Sequence, residues 1–174
     1  IHGIPSHRKL KDGDIISIDV GAEKDGYHGD AARTFAVGQI SSEAERLIEV
    51  TKQSFFEGLK FARPGERLGS VQAAIQEYVE KNGFGIVRNY CGHGIGKRMH
   101  EDPEIPNYGK AGHGIRLQKG MTIAVEPMVT YGGSQTTSLS DGWTVVTLDG
   151  SPAAHYENTI LITDSDPQLL TNFD

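Results

Sequence analysis

Four acidic side chains lie in or beside short apolar runs that have the composition of buried β-strands. They are Asp19, Asp30, Glu126 and Glu157. Ionised carboxylates are rarely buried unless a positive partner is close, and no cluster of Lys or Arg accompanies these runs. A metal ion is the natural counter-charge for such a set of acids. Any fold of this chain therefore has to bring the acids to a shared cation.

Two distant stretches of the chain repeat the same order of features. A turn at 10–13 precedes an apolar segment that ends at Asp19, and a turn at 117–120 precedes an apolar segment that ends at Glu126. Each stretch has a turn, a strand-like run and a terminal carboxylate in the same register. The repeat predicts two related sheet halves packed around a shared centre.

Asp19 and Asp30 belong to one predicted β-hairpin. A hairpin folded symmetrically about Lys24 and Asp25 places the two aspartates opposite each other, with Cβ atoms about 4.5–5.5 Å apart. Two half-buried carboxylates at that distance need a shared proton or a cation between them. Considered alone, the hairpin slightly favours Asp30 in a surface turn and Asp19 facing water. The buried acids of the second half shift the balance towards a metal site.

Four carboxylates are more than one divalent ion usually takes from a protein, whereas two ions about 3.5–4 Å apart would use them all. His93 is the best imidazole candidate, because flanking glycines let its backbone approach a site closely; a loop histidine satisfied by backbone is the alternative. His100 and His2 are candidates for proton handling or oxyanion stabilisation, or else ordinary loop histidines. His28 and His155 adjoin the acids, and the sequence assigns neither a role.

Composition and periodicity indicate one ordinary α+β domain. The 174 residues include 37% hydrophobic and 23% charged side chains, and apolar spacing predicts helices over 41–63 and 68–82 among strands and loops. A net charge of −6 without long Lys/Arg runs argues against a nucleic-acid surface, and no apolar run is long enough to span a membrane. The single cysteine, Cys91, fits a reducing compartment and so a cytoplasmic location.

The glycine-rich segment at 90–103 carries the most specific motif. Its sequence, YCGHGIGKRMHEDP, resembles the signature of type I methionine aminopeptidases. Further segments resemble the same family, in order and with suitable spacing: 2–5, 19–20, 28–30, 123–128, 141–144 and 156–159. The similarity runs through nearly the whole chain.

This resemblance implies a pita-bread fold, which is an α+β fold with a curved antiparallel sheet, helices on its outer face and two pseudo-symmetric halves. Residues 1–174 are then a single metallopeptidase catalytic domain, from which the amino-terminal part of the family's domain is absent. The resemblance also implies two divalent metal ions per chain, of Co, Mn, Fe(II) or Zn. Carried over by motif, the metal ligands are Asp19, Asp30, His93, Glu126 and Glu157.

The implied reaction is removal of the initiator methionine from nascent chains by a metal-bridging hydroxide. In the implied mechanism Glu126 takes the proton of the water, His100 stabilises the oxygen of the tetrahedral intermediate, and His2 contacts the peptide group of the substrate. Trp143 is a candidate wall of the methionine pocket, with core packing as an equal alternative. The expected partners are nascent polypeptide N-termini and peptide substrates, with the ribosome as a further candidate. We expect a monomer of the cytoplasm or an organellar matrix.

Two alternatives share this fold. Prolidases and aminopeptidase P cut X-Pro bonds with the same ligand set, but their histidine segments differ from the pattern at 90–100. A non-catalytic pita-bread module that binds peptides is the other alternative. Inert relatives typically lose metal ligands, whereas this chain keeps all five together with His2 and His100, which favours an enzyme.

Overall fold

The computed structural model of the chain describes residues 1–172. The two helices of this range are α1 (Ser42–Leu59) and α2 (Leu68–Lys81). Its strands are β1 (Ile15–Lys24), β2 (Tyr27–Ala36), β3 (Gly85–Ile86), β4 (Gly92–Gly94), β5 (Glu101–Ile105), β6 (Thr122–Val125), β7 (Met128–Thr130), β8 (Thr136–Ser138), β9 (Val145–Thr147), β10 (Ala153–His155), β11 (Asn158–Leu161) and β12 (Gln168–Leu169).

Every strand pairing is antiparallel, which confirms the predicted α+β class. The strands form the β1–β2 hairpin, a sheet of order β10-β7-β3, a sheet of order β12-β11-β6-β4-β5, and the β8–β9 pair. The predicted strand over 122–129 is interrupted at Glu126 and Pro127. Its two parts, β6 and β7, belong to different sheets.

The first helix begins at a capping serine, as its sequence predicts. The Ser41 hydroxyl accepts the N–H of Ala44 at 3.2 Å, and acidic residues occupy the first turn, where they favour the positive end of the helix dipole. The apolar faces of α1 and α2 meet each other and cover β10, β7 and β3. Neither helix among residues 1–172 has the length and apolar character needed to cross a bilayer.

Successive side chains of β6 point alternately into the apolar core and to the opposite face of the sheet. Ile123 and Val125 belong to the core cluster that includes both helices. Ala124 points the other way, because successive strand residues face opposite sides. His93 of β4 and Thr159 of β11 pair with Ala124 from its two sides and share its face. The helices therefore lie on one side of this sheet and His93 on the other.

The predicted internal repeat is confirmed in three dimensions. Gly13 and Gly120 both adopt positive φ, at 92° and 87°. Each donates its N–H to the end of the partner strand in its own half: Gly13 to the Val37 carbonyl at 2.9 Å, and Gly120 to the Ile162 carbonyl at 2.8 Å. The two turns thus start two equivalent strand pairs, β1–β2 and β6–β11.

The hairpin turn lies one residue later than predicted. Asp25 and Gly26 form it, rather than Lys24 and Asp25, because Lys24 pairs with Tyr27. Both turn residues have positive φ, at 54° and 79°, as a two-residue type I′ turn requires. Aspartate and glycine tolerate that conformation much better than lysine does.

The corrected turn changes which residues oppose each other across the hairpin. Asp19 pairs with Ala32, and Asp30 pairs with Gly21, so the predicted direct opposition of the two aspartates is wrong. The register moves by two residues, an even number, and side chains therefore keep their face of the sheet. The aspartates become diagonal neighbours on one face, still close enough to interact.

Candidate metal centre

The acids from both halves converge on His93. Its Nε2 lies 3.8 Å from Asp30 Oδ2 and 3.6 Å from Glu126 Oε1. Ligand atoms of Asp30, His93 and Glu157 all lie within 4.8 Å of one another. The carboxyl of Asp19 is close enough to that of Asp30 for the charge of Asp30 to help raise its pKa, after the larger effect of burial. The structure therefore brings together all five residues that the sequence motifs point to.

Glycines on both sides of His93 allow β4 to lie tightly between its neighbours. A Cβ on Gly92 would come within 3.0 Å of the Ala124 carbonyl oxygen, and one on Gly94 within 3.0 Å of the Asp102 carbonyl oxygen. His93 Nδ1 is 2.9 Å from the Gly94 carbonyl oxygen. A carbonyl only accepts, so Nδ1 carries the proton and Nε2 presents a lone pair to the acids. That is the tautomer a metal ligand needs.

Three carboxyl groups of this centre have pKa values above those of ordinary carboxyl groups. Burial raises the pKa of Glu157 to about 10, and the neighbouring charges of Glu126, Asp30 and Asp19 add to the rise. Burial likewise raises the pKa of Glu126 to about 8, against the pull of His93. Burial also raises the pKa of Asp19. The chain's own cations therefore leave this acid cluster short of positive charge.

The donor set fits a divalent metal ion. Glu157 is only 1% exposed, and its Oε1 has no hydrogen-bond partner within residues 1–172. A buried carboxylate oxygen without a partner is unfavourable unless a cation takes that place. Carboxylates with one imidazole suit Mn, Fe(II), Co and Zn, and the set does not select one of them.

The other predicted site residues lie around this cluster. The His100 ring is 4.4 Å from the His93 ring. The His2 ring lies between Tyr90 and Trp143, at 5.2 and 5.1 Å between centroids. Burial lowers the pKa of His2. Trp143 is 54% exposed, so the alternative of core packing is wrong for this residue.

Two threonines bind the backbone of the opposite half where β2 meets β10 and β11. The Thr159 hydroxyl accepts the N–H of Asp30 at 2.8 Å and donates to its carbonyl at 3.0 Å. The Thr34 hydroxyl accepts the N–H of His155 at 2.8 Å and donates to its carbonyl at 3.0 Å. Between them, the Glu157 N–H donates to the Ala32 carbonyl at 2.9 Å. These contacts fix the backbone of acids from both halves relative to each other.

The variant Thr159→Val is expected to weaken metal binding as well as the fold. Valine has the same shape but cannot make either bond to the Asp30 backbone, and leaving buried groups unpaired lowers stability by about 1–3 kcal/mol. We expect Mn(II) affinity, measured by titration calorimetry, to fall roughly 10-fold, as for other residues that orient ligands. Thr51→Val is the control, since that buried hydroxyl bonds only Leu47 within α1. Equal Mn(II) affinities in the two variants would contradict a role for Thr159 in the centre.

Sequence reasoning missed the contribution of His155. Its Nε2 is 3.6 Å from Glu126 Oε2, and its ligand atom groups with those of Glu126 and Glu157. One signal was available: His155 stands two residues before Glu157, the spacing that puts two side chains on one face of an extended segment. His28, by contrast, contacts the Gly96 carbonyl and Glu23.

Comparison with known proteins identifies the family that the sequence motifs resemble. The model of metallopeptidase family M24 matches residues 1–164. The methionine aminopeptidase of Clostridium acetobutylicum is 60% identical over 172 residues, which are 98% of this chain and 69% of that protein. The structure of methionine aminopeptidase from Thermotoga maritima is 50% identical with a TM-score of 0.92, over 94% of this chain and 66% of that one.

A more distant structural relative shows how far the fold extends beyond methionine aminopeptidases. The prolidase of Pyrococcus furiosus is 25% identical with a TM-score of 0.79, over 99% of this chain and 45% of that one. The pita-bread fold and the family expected from the motifs are both confirmed: this chain belongs to metallopeptidase family M24, together with methionine aminopeptidases that share about half or more of its sequence.

Proposed function

We propose that this chain removes the N-terminal methionine from peptides and newly made proteins with the help of two divalent metal ions. Asp19, Asp30, His93, Glu126 and Glu157 hold the ions. The observation that carries this proposal is the convergence of acids from both halves on the Nε2 of His93. The sequence identity to methionine aminopeptidases supports the choice of substrate.

When bound, the ions lower the pKa of water and supply hydroxide near neutral pH. Glu126 accepts the proton of the attacking water and passes it to the leaving amine. Glu126 lies beside the ligand His93. A carboxylate in that position also reaches the attacking water. His100, whose ring lies 4.4 Å from that of His93, donates a hydrogen bond to the oxygen that gains negative charge.

Substrate contacts come from the aromatic side of the site. His2 lies between Tyr90 and Trp143, and it contacts the peptide group that follows the methionine. The exposed ring of Trp143 lines the pocket for the methionine side chain, since sulfur and aromatic rings attract each other. Residues 1–174 belong to one metallopeptidase catalytic domain. The protein acts as a monomer in the cytoplasm, on the N-termini of nascent chains near the ribosome.

A peptide assay tests this function directly. We expect release of methionine from Met-Ala-Ser in the presence of Mn(II) or Co(II), no release in excess EDTA, and none from an X-Pro dipeptide. Hydrolysis of the X-Pro dipeptide alone would instead show a prolidase-like enzyme. If the chain binds Mn(II) but hydrolyses neither peptide, the non-catalytic peptide-binding alternative replaces the proposal.

A further inference from the structure

We infer that His155 is a positioning residue of the metal centre, whose Nε2–H donates to Oε2 of Glu126 and so orients this carboxylate. The inference rests on the proposed function, because it concerns how a proposed metal ligand is held. It adds a residue outside the set of five that the motifs identify.

The two oxygens of Glu126 face two different imidazoles. Oε1 lies 3.6 Å from His93 Nε2, and Oε2 lies 3.6 Å from His155 Nε2. The side chains of His155 and Glu126 are only 10% and 13% exposed. Since one oxygen is directed at the ligand His93, a partner on the other oxygen decides the rotation of the whole carboxylate.

The Nε2 of His155 has no other use within the described part of the chain. It is buried and has no hydrogen-bond partner among residues 1–172. A buried donor left unpaired lowers stability by about 1–3 kcal/mol. A small rotation of Glu126 on metal binding would close the 3.6 Å gap to a hydrogen bond and satisfy this donor.

The backbone of His155 is held in place by its own half and by the other half. His155 pairs with Met128 in the β10–β7 ladder, and the Thr34 hydroxyl binds both its N–H and its carbonyl. Thr159 binds Asp30 in the same way. His155 therefore occupies, in the second half, the position that Asp30 occupies in the first.

The position of its Nε2 beside Glu126 Oε2 gives the imidazole an orienting role. Ligating carboxylates are generally hydrogen bonded by a surrounding layer of residues, and loss of such a partner lowers metal affinity about 10–100-fold. His155 fits that layer, because its Nε2 lies 3.6 Å from a carboxylate oxygen of the proposed ligand Glu126. His93, in contrast, presents its Nε2 to acids of both halves.

Two substitutions separate orientation from direct ligation. His155→Gln keeps an N–H donor at about the position of Nε2, whereas His155→Leu keeps the volume and removes the donor. Thr130→Val is the matched control, because it removes another buried and unpartnered polar atom from the adjacent strand β7. Thermal unfolding in EDTA checks that each variant folds.

Mn(II) affinity by calorimetry and the visible spectrum of the Co(II)-loaded chain are the measurements. We expect His155→Leu to bind Mn(II) about 10–100-fold more weakly, and His155→Gln to stay within about 3-fold of the wild type with the same Co(II) spectrum. Unchanged affinity in His155→Leu would overturn the inference. So would a glutamine variant as weak as the leucine variant with an altered Co(II) spectrum, which would make His155 a ligand. A wild-type chain that binds no metal would overturn the proposed function itself, and this inference with it.

Discussion

Replacing Glu157 with glutamine is expected to abolish methionine release while leaving the metal-free fold intact. Burial and three neighbouring acids raise the pKa of Glu157 to about 10, so this carboxyl is protonated at pH 7.5 when no metal is present. Glutamine closely resembles that neutral form. A neutral amide would be a much weaker ligand for divalent metal than the carboxylate, and we expect methionine release from Met-Ala-Ser to fall by at least about 10³-fold.

The accompanying measurement is thermal unfolding with EDTA and with Mn(II). Glu157→Gln should unfold within a few degrees of the wild type in EDTA, and it should lose most of the stabilisation that Mn(II) gives the wild type. Glu23→Gln is the control, because it makes the same chemical substitution on β1 in a side chain that is 61% exposed. Activity near the wild-type level in Glu157→Gln would remove this residue from the centre.

The metal-free protein is expected to lose stability as the pH rises from about 6.5 to about 8. Burial raises the pKa of Glu126 to about 8, above its ordinary value of 4.5, so the folded state keeps a proton that the unfolded state has released. Stability then falls with pH by about 1.4 kcal/mol per pH unit for each retained proton. Glu157 acts in the same direction up to about pH 10.

His155 opposes this trend at lower pH. Burial lowers its pKa to about 4, so the unfolded state binds an additional proton up to about pH 6.5, and stability rises with pH in that window. Above it the opposition from His155 ends. Divalent metal replaces the retained protons, and the stabilisation by Mn(II) should therefore grow between pH 6.5 and 8.

Denaturant unfolding at several pH values, with EDTA or Mn(II), measures both effects. In EDTA, Glu126→Gln should show a shallower decline than the wild type, because one of the retained protons is gone. The same decline in both proteins would show that the pH dependence arises elsewhere, and a flat wild-type profile would contradict the raised pKa values of the acid cluster.

The sequence predicted the parts of this site that local pattern controls. The turn, apolar run and terminal acid of each half are local features, and the two halves fold as equivalent strand pairs. The glycines that flank His93 were expected to allow close backbone approach, and both lie against carbonyl oxygens of neighbouring strands. Helix α1 begins where its capping serine indicates.

The register of the β1–β2 hairpin could not be predicted by assuming a turn centred on Lys24 and Asp25. Moving the turn by one residue, from Lys24 to Asp25, separates Asp19 from Asp30 along the ladder. The alternation of faces survived, because the register changed by an even number of residues. The aspartates still interact, although not as the directly opposed pair that was predicted.

By itself, the sequence determined the identity and the local setting of the four acids and the imidazole, because strand alternation and turn chemistry act over a few residues. Only the tertiary structure decided how the two halves meet. The threonine contacts between β2 and the segment of β10 and β11 join residues more than a hundred positions apart. The place of His155 beside Glu126 joins two further segments that are separate in the chain. No local pattern encodes such distances, since they follow from how the packed halves exclude water and pair their remaining polar groups.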